Sequence, residues 1–125
     1  MPTAAPRPQR SAGRSAVVDL AQARDARRLR DLGERCRSVD EGARRTLTKL
    51  FGCGTIFTRH GSRIGRDLLL CHQHLLRAAG LLGKATECDA TDPEEADALY
   101  QEAAGIVERA HRIVARCEAA CSRGT

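Results

Sequence analysis

The stretch TDPEEADALYQEAAGIVERAHRIVARCEAAC, residues 91–121, decides the fold class. Its opening is a helix start written in full. The Asp92 carboxylate accepts from free N–H groups of a first turn, Pro93 suits the first helical position, and Glu94 and Glu95 complement the positive end of the helix dipole. Apolar residues then recur at Leu99, Ala103, Ile106, Ala110, Ile113, Cys117 and Ala120, in steps of 4 and 3. That period belongs to an amphipathic helix, and a strand would alternate every second residue. The helix runs out near Cys121, ahead of Ser122, Arg123 and Gly124.

Two more helices follow upstream by the same argument. Leu29, Leu32, Cys36, Val39, Ala43, Thr46, Leu50 and Cys53 form a heptad seam in a first helix beginning near Ala16. Ser38 and Glu41 make an S-x-x-E capping box, so this helix is read as either continuous or broken near Ser38. A second helix is expected from about Ser62 to Leu82. Ile64, Leu68, Cys71, Leu75, Ala78 and Leu82 form one stripe, and Leu69, His72, Leu76, Ala79 and Gly83 form another beside it. With two apolar stripes it reads as the buried central helix. Between the first two helices, Thr55–Thr58 are strand-like but too short to find a sheet. The expected fold is all-α, an antiparallel three- to four-helix bundle with long heptad-patterned helices.

Composition agrees. Of 125 residues, 42% are apolar, but Trp is absent and there are only two Phe and one Tyr, so the core is built from Leu, Ala, Ile, Val and Cys. Residues 1–15 hold three of the four Pro among Arg, Ser and Gly, and read as a disordered Arg/Pro-rich tail. The bundle domain then covers 16–122, with 123–125 a disordered end. No run approaches the ~18 consecutive apolar residues of a membrane span, and no secretory signal is visible. The expected compartment is therefore the cytoplasm or nucleus, with the six Cys reduced.

The net charge of +5 is uneven. Residues 1–83 carry 16 basic and 7 acidic side chains, net +9, whereas residues 84–125 carry 5 and 9, net −4. Such asymmetry suggests an acidic partner for the first part or head-to-tail self-association. Phosphate contact through the basic tail, to nucleic acid or an anionic membrane surface, is one alternative reading. Stacking recognition of single strands is opposed by the scarcity of aromatic residues.

Sites of chemistry are sparse. In Cys71-His72-Gln73-His74, each helical residue turns by about 100°, so the two histidines face opposite sides and cannot share an ion. Up-down-up folding brings Cys71 level with Arg44 or Arg45 and with Ala104, none of them a thiol or imidazole. The same register sets Cys53 level with Ile113, near Cys117, Cys121 and the loop residue His60. Cys53, His60, Cys117 and Cys121 are thus a candidate zinc site, and inward thiols also suit Cu(I). AAGLLGKAT imitates a phosphate loop but has Ala78 and Ala85 where Gly and Ser or Thr are required. With no nucleophile elbow or dinucleotide fingerprint, an enzyme is not expected.

Lys84–Asp89 followed by Glu94–Ala103 resembles the first hairpin of MIT domains, which bind short helices in membrane-remodelling machinery. The likeness covers about twenty residues with one gap. That family's third helix has no counterpart after Cys121, and its first is not preceded by another long helix, so the chain is not assigned to it.

The functional expectation is a non-enzymatic adaptor, scaffold or structural subunit. It acts by helix–helix association with itself or a partner protein, and no cofactor is required. The thiol-based metal bundle and the basic polyanion binder are its alternatives. Val18, Leu29 and Leu32 are the candidate partner-binding residues, because the first helix before Gly33 extends past the second and leaves them uncovered.

Overall fold

The computed structural model describes the backbone of residues 10–123 and the side chains of Leu20 and residues 23–123. Three α-helices account for nearly all of it: α1 (Arg10–Gly52), α2 (Arg59–Cys88) and α3 (Pro93–Arg123). A single 3-10 turn, Thr55–Phe57, lies between α1 and α2, and no strand occurs among the described residues. The fold is all-α. No described helix is long and apolar enough to cross a membrane. Most of the expected tail, residues 1–9, lies outside the described residues, as do 124 and 125; helix begins at Arg10, soon after Pro8.

α1 is one helix of 43 residues, unbroken at Ser38. Ser38 is exposed within it, and the capping box goes unused. Packing explains this. Leu29, Leu32 and Cys36 on one side of Ser38, and Val39, Ala43, Thr46 and Leu50 on the other, lie on one continuous stripe against the core. A break would turn half of that stripe away. Gly42 is buried where α3 comes close: an added Cβ would stand 3.0 Å from Glu118 Oε1 and 3.3 Å from Val114 Cγ1.

α1 ends as Gly54 takes a left-handed φ of 74°, which favours glycine. The residues read as strand-like form the 3-10 turn instead, since a lone short strand has no edge to pair with. Thr58 then caps α2, its Oγ1 accepting from Gly61 N at 3.0 Å. α2 starts three residues before the expected Ser62 and runs six past Leu82, through Gly83 to Cys88. Ala85 is fully buried in that extension. Only residues 89–92 join α2 to α3. There Asp92 acts as read from the sequence, its Oδ1 accepting from Glu95 N at 3.2 Å.

The α3 seam is rotated from the one drawn on the sequence. Ala103, Ile106, Ala110 and Cys117 are buried as expected, while Leu99, Ile113 and Ala120 are only half-buried. Ala96, Tyr100, Val107, Val114 and Cys121 take the interior instead. Both seams step by 4 and 3 and share residues 103, 110 and 117, so periodicity alone cannot choose between them. Tyr100 decides. Its ring is 2% exposed, the Arg28 guanidinium lies 4.4 Å from its centroid, and its hydroxyl donates to Asp89 Oδ2 at 3.2 Å. It ties α1, the end of α2 and α3 together.

α2 is not the fully buried central helix. Ile64, Leu68, Cys71, Leu75, Ala78 and Leu82 are interior, but Leu69, Leu76 and Leu70 are 58%, 60% and 46% exposed. Two neighbouring helices cover one side of a third, not its whole circumference.

The longer α2 and short connection also shift the levels. Cys71 Sγ donates to Ala110 O at 3.6 Å, so its neighbour in α3 is Ala110 and not Ala104. Arg28 pairs with Asp97 at 2.7 Å and Arg35 with Glu108 at 2.8 Å. Asp40 Oδ1 meets His72 Nδ1 at 3.1 Å between α1 and α2.

Candidate interaction surface

The same shift separates the four residues read as a zinc site. Arg44, Arg45, Thr46, Thr48 and Lys49 of α1 line one cavity with Glu118, Cys121 and Ser122, so Cys53 falls beyond the level of both α3 thiols. Cys117 and Cys121 are buried, while Cys53 and His60 are exposed. His60 reaches only a groove shared with Ile64 and Cys117. Among the described residues no three His, Cys, Asp or Glu side chains gather closely enough to hold a metal ion.

The thiols diverge in chemistry as well as place. Burial is the main cause that pushes the Cys117 thiol from 9.0 up to about 11, with Asp67 adding to it. Cys71 is raised for the same reason. Cys53 is lowered, chiefly by its 2.8 Å hydrogen bond with the Thr55 hydroxyl. It is the thiol both exposed and disposed to ionise.

Of the residues read as partner-binding, Val18 has a side chain outside the described residues. Leu29 and Leu32 lie half-buried against the chain's own core. They are covered in part because α2 reaches Cys88 and α3 begins at Pro93, beside the segment the sequence left overhanging. Leu20 is 72% exposed.

Among the described residues, part of the apolar surface that remains open forms a line on α2. Leu69 and Leu76 are seven residues apart, hence on one line along the helix about 10 Å long. Ala79, Gly80 and Gly83 continue it, all exposed. Beta-carbons added at Gly80, Gly83 or, on α1, Gly33 would meet nothing within 4 Å. The fold itself therefore does not need these glycines, although each costs a helix interior about 0.5–1 kcal/mol relative to Ala.

A second feature emerges only in three dimensions. The end of α1, the start of α2 and the end of α3 share cavities, so they share one end of the molecule. Residues 44–67 and 109–123 carry ten basic side chains against Asp67 and Glu118. Residues 23–43 and 68–108 carry eight basic against thirteen acidic. The chain thus has a strongly basic end and a moderately acidic remainder. Sequence halves gave a different partition, because α3 crosses from the acidic region into the basic one.

No family model matches the chain, and no curated protein or solved structure matches it significantly.

Proposed function

We propose that this protein is a non-enzymatic helical subunit, an adaptor or scaffold that works by accepting a helix from another chain. That chain is a second copy or a helical partner. In this reading the three helices run up-down-up as an antiparallel bundle with heptad seams. Support comes from contacts that step in opposite order along neighbours: Asp40 with His72, then Leu47 beside Gly65. Along α1 and α3 they step together, from Arg28 with Asp97 to Arg35 with Glu108.

The observation that carries the proposal is the open line Leu69–Leu76–Gly83 beside α1. Extending the α1–α2 register by a turn or two brings Cys36 level with Leu76 and Gly33 level with Ala79. The proposed groove has leucines at one end, with half-buried His72, bonded to Asp40, between them, and small residues at the other. Small residues let another backbone come close, and the leucines supply apolar area to bury. A fourth helix laid there completes the burial that three helices leave unfinished.

Light scattering of the purified protein over a dilution series tests this. A dimer or larger assembly is expected, and joint Leu69→Asp and Leu76→Asp substitution should return it to monomer with helix content unchanged. A protein monomeric at every concentration overturns self-association. An assembly indifferent to both substitutions overturns the groove.

A further inference from the structure

Both phenylalanines of the chain sit at the basic end, Phe51 at the end of α1 and Phe57 in the turn that follows it, and both are exposed: Phe51 by 58% and Phe57 by 84%. The only large aromatic hydrocarbon side chains in the protein are thus left outside a core that lacks them. The connection is held firmly. Gly54 turns the chain, Phe57 N donates to Gly54 O at 3.1 Å and Thr58 N to Thr55 O at 2.9 Å. Ile56 packs half-buried against the core, and Gly61 admits the Thr55 carbonyl so closely that no side chain fits between. With Ile56 fixed inward, its neighbour Phe57 is held outward.

Basic side chains predominate around this tip, with Asp67 and Glu118 the carboxylates of this end. Lys49 closes α1, Arg59 and Arg63 open α2, and Arg123 ends α3; none of the four is in an ion pair among the described residues. The first turn of α2 contains no acidic residue, so cations stand at the positive end of its dipole, where carboxylates are favoured. Within the chain this arrangement is unfavourable, and an external anion relieves it.

We propose that the tip docks onto an anionic phospholipid surface, with Phe51 and Phe57 entering the headgroup layer and Lys49, Arg59, Arg63 and Arg123 contacting lipid phosphates. Exposed aromatic side chains at the same end as a cluster of cations match a surface that is anionic outside and apolar just beneath. Single-stranded nucleic acid fits less well: its binders run cations along a groove past several aromatic faces. Here the cations come from the ends of three helices gathered at one end of the molecule. This inference is independent of the α2 groove, because it uses the end of the molecule and not its side.

The test is co-sedimentation of the full chain with vesicles of phosphatidylcholine alone and of phosphatidylcholine mixed with phosphatidylserine. Binding is expected only to the mixed vesicles and should weaken with salt. Phe57→Ser should weaken it about tenfold through lost apolar burial. Arg59→Gln and Arg63→Gln should each weaken it about fivefold. All three side chains are exposed, and unchanged melting temperatures confirm that the variants fold. Absence of binding to the mixed vesicles overturns the proposal. So does binding that Phe57→Ser leaves intact while Arg7→Gln, Arg10→Gln and Arg14→Gln together abolish it, which assigns the attraction to the N-terminal arginines. Tighter binding to a single-stranded oligonucleotide than to the vesicles, with the same Phe57 dependence, overturns it in favour of nucleic acid.

Discussion

Replacing Gly61 by Ala probes how the α1–α2 turn is seated. The added Cβ would stand 1.9 Å from Thr55 O and 2.5 Å from Thr55 C, both backbone atoms that no rotamer change can move aside. Either the 3-10 turn lifts or the first turn of α2 distorts. Overpacking of this kind costs about 1–3 kcal/mol. Alanine's better helix propensity offsets at most about 1 kcal/mol, and less in a first turn than in a helix interior. The net expectation is a loss of about 1–2 kcal/mol, which for a domain of this size is a fall in melting temperature of roughly 4–8 °C. Gly105→Ala, inside α3 and away from the α2 groove, is the matched control: nothing lies within 4 Å of its added Cβ, so it should gain about 0.5–1 kcal/mol. Gly65→Ala should fall between them, because its nearest neighbour is the flexible tip of Ile56 at 2.5 Å. Thermal melts followed by far-ultraviolet circular dichroism give all three. If Gly61→Ala matches or exceeds the parent in stability, the turn is not seated against α2, and the rigid presentation of Phe57 loses its basis.

Three further outcomes are expected. Asp92→Ala removes the side chain that accepts from Glu95 N and should cost about 1 kcal/mol in urea unfolding, with Asp92→Asn retaining most of the cap. Stability should also decline as pH rises from about 9 to 11, since the unfolded Cys117 thiol ionises at its usual 9.0 while the folded one holds its proton to about 11. Below 9 that contribution is fully present, and Cys117→Ala should flatten the alkaline decline. In the native protein a charged thiol reagent should modify Cys53 well before Cys71 or Cys117.

Residues whose signal is local were legible from the chain. Asp92-Pro93-Glu94-Glu95 starts α3 where capping chemistry says it should, because a cap needs only its own first turn. The repeats of 3 and 4 gave three helices and an all-α fold for the same reason: amphipathic period is a property of neighbours in sequence. Gly83 illustrates the limit. Its propensity argues for a stop, yet α2 runs through it to Cys88, since burying Ala85 against the other helices outweighs about 1 kcal/mol of helix preference. Ser38 failed as a helix start in the same way, with packing on both sides of it keeping α1 whole.

Only the tertiary structure decided the levels, and with them every statement about which residues meet. Extending α2 and shortening its connection to α3 moved Ala110 beside Cys71 and carried Cys53 past Cys121. It also left Leu29 and Leu32 against their own core. The rotation that favours Tyr100 over Leu99 depends on Arg28, on another helix, and on Asp89, in the connection before α3. The basic end with its two exposed phenylalanines has the same origin. Chain order distributes those arginines over residues 44–123, and only the packing of three helix ends gathers their charge in one place.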